Sequence, residues 1–206
     1  MNKLLKYEKQ LWQEGFSRVM GLDEVGRGCL AGPVVAAGVI LKPNTFIEGV
    51  RDSKKLSHSE RLRLSELIRE QSAYWTIQVG DVSLIDRINI LWASLETMHE
   101  CALQPDAIPD YLLIDGNKFV TTLLPHQCIT KGDDNSLSIA AASILAKVYR
   151  DQIMEDLNED YPEFGWSNNV GYPTKEHKDA LVNYGYTKHH RKSFNLSTKK
   201  RYGEGK

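Results

Sequence analysis

The chain has 206 residues and a net charge of −1, with 41% apolar and 26% charged residues, the make-up of one ordinary globular domain with room for a small appendage. That excludes collagen-like, low-complexity and wholly disordered chains. The uncharged run at 29–41 has only 13 residues and contains Gly32 and Pro33, against the roughly 20 apolar residues that a bilayer span demands. Near the amino end Lys3, Lys6, Glu8, Lys9 and Glu14 break up any signal-peptide core. Three cysteines, Cys29, Cys101 and Cys128, contain no C-x-x-C pair, which points to a reducing, cytoplasmic setting without a zinc site.

In chain order, residues 19–25 and the β-branched run 34–41 read as strands, the second largely buried. Gly26-Arg27-Gly28 and Gly32-Pro33 between them predict a hairpin-like reversal with a wide loop. Ser57-His58-Ser59-Glu60 fits a capping box, and Leu62, Leu64, Leu67 and Ile68 continue it as an amphipathic helix. A third strand is expected at 74–82. A long helix over 83–103 follows, with Leu84, Ile88, Leu91, Leu95 and Met98 on one side. Residues 111–114 and 127–130 read as short strands. From Ser136 onward, Leu137, Ala141, Ile144 and Val148 recur at the period of a helix packed on a core, with small residues allowing close approach. Beyond Pro162 come short aromatic segments and a helix at 175–184. Strands in a meander, then strands alternating with helices, describe an α/β domain with a mixed sheet. The expected division is a main domain at 1–160, a helical segment at 161–197 and a basic tail at 198–206.

Charge is unevenly spread. Six acids and no Lys or Arg lie in 151–163, whereas six bases and no acid lie in 186–202. The second run is either a solvated tail or a phosphate-contacting segment, and composition leaves both open.

Four acids sit where a sheet protein places its chemistry. Asp23 and Glu24 interrupt an apolar strand, Asp115 ends the run Leu112-Leu113-Ile114, and Asp133 precedes the Ala-rich helix. Burying such groups is costly unless they are paired or bound to a cation. Taken singly, Asp133 also fits a helix-start acid and Asp115 a turn-forming Asp before Gly116. Neighbouring side chains on a strand point to opposite faces. Either the strand is distorted next to Gly26, or one of Asp23 and Glu24 contributes through its carbonyl. Oxygen-only ligands suit Mg²⁺ or Mn²⁺, and paired hard cations serve phosphodiester cleavage. Other chemistries lack their motifs: the third glycine of a dinucleotide loop falls one residue late at Gly32, and there is no Walker loop, nucleophile elbow or H-E-x-x-H sequence.

Longer segments surround these acids: Gly21-Leu22-Asp23-Glu24-Val25-Gly26-Arg27-Gly28 with Leu30-Ala31-Gly32-Pro33-Val34-Val35-Ala36-Ala37, then Asp52-Ser53-Lys54-Lys55-Leu56-Ser57, Ile114-Asp115-Gly116 and Lys131-Gly132-Asp133. Ser138-Ile139-Ala140-Ala141-Ala142-Ser143-Ile144-Leu145-Ala146-Lys147-Val148 with Arg150-Asp151, Gly171-Tyr172-Pro173-Thr174, and His190-Arg191-Lys192-Ser193-Phe194 complete the series. Taken together, these segments resemble the ribonuclease HII family.

The resemblance implies a ribonuclease H-like mixed sheet flanked by helices, with a small C-terminal helical appendage. It implies endonucleolytic cleavage of RNA in RNA–DNA hybrids and at ribonucleotides embedded in duplex DNA, leaving 5′-phosphate and 3′-hydroxyl ends. Asp23, Glu24, Asp115 and Asp133 would be the catalytic, metal-binding carboxylates for two Mg²⁺ or Mn²⁺ ions. Gly26, Arg27, Gly28 and Tyr172 would read the ribose 2′-hydroxyl, with Lys54 and Arg191 as further substrate contacts; the molecule would act as a monomer away from membranes. Glycines let a backbone approach a sugar closely, and the 2′-hydroxyl is what distinguishes RNA from DNA there. Cys29 stands where the family usually has Pro, and Val170 where a Lys commonly precedes the Gly-Tyr pair. Other readings are a non-catalytic nucleic-acid-binding module on the same fold and a small-substrate phosphotransferase, the latter disfavoured by the missing nucleotide loop.

Overall fold

The computed structural model describes residues 3–51 and 53–194; the basic tail at 198–206 and Asp52 lie outside the described residues. Five strands form one sheet: β1 (Val19–Val25), β2 (Val34–Leu41), β3 (Ser72–Gly80), β4 (Tyr111–Asp115) and β5 (His126–Ile129), in the spatial order β3-β2-β1-β4-β5. β2 runs antiparallel to both β1 and β3, while β4 is parallel to β1 and β5. The helices are α1 (Lys6–Gln13), α2 (His58–Gln71), α3 (Val82–Ala102), α4 (Leu137–Asp160), α5 (Trp166–Asn169) and α6 (Lys175–Tyr184).

The period-2 alternation of a strand divides the core in two. Val35, Ala37, Val39 and Leu41 of β2 pack with Leu64 and Ile68 of α2 and with Ala140, Ala141, Ile144 and Leu145 of α4. Ala36 and Ile40, with Met20 and Leu22 of β1, face Leu95, Met98 and Cys101 of α3. Both faces are covered, which is why β2 has no polar residue. Truncating Ile144 or Leu145 would cost about 2–5 kcal/mol. The Ala-rich stretch brings α4 close to the sheet, and Gly21 completes the approach: a Cβ there would collide with the Ser138 backbone and the Ile139 amide.

Most expected elements are present, with instructive differences. Ser57 and Glu60 form the capping box that starts α2. β3 begins at Ser72, two residues early, because α2 ends directly against it. α3 is not uniform: Asn89 has φ 66° and ψ 163°, and its side chain caps the second part by accepting from the Leu91 and Trp92 amides. α1 was not anticipated from the sequence. Its buried Glu8 accepts hydrogen bonds from Ser136 Oγ, Ser138 N and Ser138 Oγ at 2.6–2.9 Å, putting a carboxylate at the amino end of α4 where the helix dipole favours it. No helix among the described residues is long and apolar enough to cross a membrane.

Candidate active site

β1 and β4 run parallel with Leu22 opposite Ile114, so Asp23 and Asp115 leave the sheet side by side at its carboxyl edge. The Gly132 amide donates to Asp115 Oδ1 at 2.7 Å, tying the short 3₁₀ turn Gly132–Asp134 to the end of β4 and bringing Asp133 alongside. Lys131 enters that turn in the left-handed conformation (φ 55°). The β1–β2 register is unbroken through Val25, so the strand is not distorted at the acids. Asp23 lies near Ser143 of α4, whose hydroxyl favours its charged form, and Glu24 turns to the Arg27 guanidinium at 3.1 Å. Asp23 Oδ1 also accepts from the Glu24 amide at 2.7 Å.

The four acids share one electrostatic field. Burial pushes Asp23 well above the usual carboxylate range, and the charges of Glu24, Asp115 and Asp133 push it further. Burial raises Glu24 to about 7 despite Arg27. Asp115 is raised by burial and by Asp133, against the pull of the Gly132 amide and Lys54. Lys54 is 81% exposed and reaches Asp133 Oδ2 at 3.4 Å; its neighbour Ser53 hydrogen-bonds Ser143, fixing that segment beside the acids. Two cations at the rim do not balance four acids. An all-oxygen, over-negative donor set fits hard divalent cations. Among the described residues, however, no three His, Cys, Asp or Glu side chains are gathered into a ready metal cage.

The Gly26-Arg27-Gly28 loop follows directly. Gly26 has φ 98°, and a Cβ there would strike the Arg150 guanidinium. Arg150 and Arg191, both buried, lie beneath the loop and donate to its carbonyls. Arg150 holds Pro33, Ala31 and Val170, while Arg191 holds Gly32, Arg27 and Pro33. The structure places Arg191, expected as a substrate contact, beneath the loop: it is 1% exposed and donates to three of the loop's carbonyls. Tyr172 is 41% exposed and stands over the loop, with Cε1 3.6 Å from where a Cβ of Gly28 would lie. Its hydroxyl lies close enough to the Cys29 thiol for the two groups to influence each other's titration, so the departure at position 29 lies beside the tyrosine. Val170, the other departure, takes a left-handed conformation (φ 42°), uncommon for a β-branched residue.

The sequence did not single out Arg150 or Glu8 as supports of the site. Their partners Pro33 and Ser138 lie 117 and 130 residues away. The only local signal was a charge inside an otherwise apolar helical stripe.

The family model of ribonuclease HII matches residues 20–197. The ribonuclease HII of Salinibacter ruber is 49% identical over 197 residues, covering 94% of this chain and 98% of that one. Among solved structures, the PCNA:RNase HII complex from Archaeoglobus fulgidus aligns with a TM-score of 0.74 at 27% identity, over 87% of this chain and 96% of that one. The ribonuclease H2 of Pyrococcus horikoshii OT3 aligns with a TM-score of 0.72 at 25% identity, over 85% and 93%. With four acids at the carboxyl edge of such a sheet, a glycine loop beside them and a match along nearly the whole chain, the protein belongs to the ribonuclease HII family.

Proposed function

We propose that the chain cuts at ribonucleotides embedded in duplex DNA as well as in RNA–DNA hybrids, with Asp23, Glu24, Asp115 and Asp133 holding two divalent cations, Mg²⁺ or Mn²⁺. Membership of the family makes it an endoribonuclease acting on RNA–DNA hybrids. The observation that supports the site assignment is the mutual elevation of Asp23, Glu24 and Asp115 at one sheet edge. When bound, paired hard cations activate water and stabilise the leaving oxygen, giving 5′-phosphate and 3′-hydroxyl products.

The chain's own residues do the rest. The carboxylates come from β1, β4 and the turn before α4 and raise one another's protonation, so cation binding and charge relief go together. Gly26 and Gly28 let loop backbone groups reach the ribose 2′-hydroxyl, and the Tyr172 ring packs on the neighbouring sugar. Arg27, half exposed, and Lys54 meet phosphates. The segment at 161–197 completes the substrate surface, and the basic tail at 198–206 adds loose phosphate contacts. We place the molecule in the cytoplasm as a monomer, where the free Cys29, Cys101 and Cys128 stay reduced.

The test is cleavage of a DNA duplex containing one ribonucleotide, with the cut mapped. A single cut at the ribonucleotide, dependent on Mg²⁺ or Mn²⁺ and abolished by EDTA, is expected. Duplex binding without a cut under any divalent cation would support the non-catalytic alternative and overturn the site assignment.

A further inference from the structure

A buried histidine pair lies behind Tyr172, outside the carboxylate site. His177 and His190 are 0% and 1% exposed and sit among Phe164 and Trp166. The hydrogen bonds allow one self-consistent arrangement of protons. A backbone amide can only donate, and that of Thr187 donates to His190 Nδ1 at 3.0 Å, so the neutral His190 ring keeps its proton on Nε2. An indole N–H can only donate, and that of Trp166 donates to His177 Nε2 at 3.2 Å, so His177 keeps its proton on Nδ1. His190 Nε2 then donates to His177 Nε2 at 3.0 Å, and His177 Nδ1 donates to the Tyr172 carbonyl at 2.9 Å. The Tyr172 carbonyl also accepts from the Thr174 amide, and the Tyr172 amide donates to Asn169. The far end of the relay is anchored too: His190 bridges to Ala31, just beyond the glycine loop. The relay therefore joins the loop to the tyrosine through side chains as well as through backbone.

The charged and titratable neighbours do not disturb this. Glu176 and His189 are the facing groups, and Arg191 directs its donors to the glycine loop. Both free ring lone pairs already face N–H donors, and burial lowers His177 and takes His190 down to about 4. The rings stay neutral at working pH.

We infer that His177 and His190 are positioning residues for the reaction: they fix the height of Tyr172 above Gly26-Arg27-Gly28 and so the enzyme's response to a single ribonucleotide. The inference rests on the reading of Tyr172 as the junction reader, and the experiment separates the two. The kcat and KM on a duplex with one ribonucleotide are measured for the wild type, His177→Gln, His177→Asn, Tyr172→Ala and the Tyr172→Ala/His177→Gln double variant. Gln keeps an amide at the Nε2 position but loses the donor to the Tyr172 carbonyl; Asn keeps that donor. His177→Gln is expected to lower kcat about tenfold with KM within about twofold, since small misplacements of a positioned group are costly. His177→Asn recovers most of that loss, and His177→Gln costs nothing further once Tyr172 is Ala, because residues acting as a unit are not additive. An unchanged kcat in Tyr172→Ala would overturn the junction reading, and the inference with it. A damaged Tyr172→Ala combined with multiplying losses in the double variant, or with Gln as good as Asn, would overturn the inference alone. Should the variants fail to fold, ¹⁵N-histidine spectra of the wild-type protein decide. Nδ1–H on His177 and Nε2–H on His190 at pH 6 are expected, and the opposite tautomer or a charged ring on either overturns it.

Discussion

The carboxylate edge of the sheet and the corner beneath Tyr172 bury charge and polarity in opposite ways. At the edge, four acids gather with Arg27 beside Glu24 and Lys54 beside Asp133, and three of them are raised by burial and by the charges of neighbouring acids. In the corner, Arg150, Arg191, His177 and His190 are as deeply buried, yet their protons point at backbone carbonyls or at each other. The first region is incomplete without a positive partner, whereas the second is finished on folding. Buried polar groups stabilise when fully partnered and destabilise when they are not. On the proposed function, the first condition is kept for cations and a sugar–phosphate backbone, and the second for the frame around the loop.

The largest expected effect comes from neutralising the edge. Asp23→Asn and, separately, Asp115→Asn should lower kcat by roughly 10³-fold or more, on the order of 4 kcal/mol at about 1.4 kcal/mol per decade. The same variants should melt at or above the wild-type temperature without metal, because a repelled charge has gone. Near-normal turnover in Mg²⁺ from either variant would break the contrast at its strong end.

The corner should respond in the reverse sense. Arg150→Met leaves the Ala31 and Val170 carbonyls without their guanidinium donor and takes one of two from Pro33, and should cost about 3 kcal/mol of stability, read as a lower midpoint in urea. A loss under about 1 kcal/mol would show that the brace is replaceable. Tyr172→Ala should then slow cleavage at an isolated ribonucleotide by about tenfold while duplex affinity changes by less than about twofold. A larger change in affinity than in rate would make Tyr172 a general binding contact and not a reader.

How far the sequence reveals these two regions follows from the range of their interactions. β1 and β2 are legible to the residue because glycine and proline turns bound apolar runs on both sides. The acids stand out because an apolar strand end advertises a charge, and their neighbours in sequence carry the family resemblance. Asn89 is not legible as a break, since its leucine and isoleucine neighbours keep helical spacing across it. α1 escapes because few of its side chains are buried, chiefly Glu8 and Leu11. The burial of Arg191 is not legible for a related reason: a basic residue in a basic run reads as exposed, and the folded loop shows its guanidinium turned onto Gly32, Arg27 and Pro33. The tautomers of His177 and His190 depend on Trp166 and Thr187, contacts that spacing does not reveal.

The central contrast, an edge that waits for cations and a corner that does not, is tested most directly by the pH dependence of stability with and without divalent metal. Glu24 is raised from 4.5 to about 7, and Asp23 and Asp115 move the same way. A carboxyl raised in the folded state binds more protons there than in the unfolded chain, so its contribution is present below about pH 4.5 and is lost as pH rises through about 7. Metal-free protein should therefore lose stability from this site between those limits, while saturating Mg²⁺ or Mn²⁺ should flatten or reverse the fall. Asp23→Asn should show a shallower fall and little response to metal. A wild-type profile indifferent to the cation, or an undiminished slope and metal response in Asp23→Asn, would contradict the account.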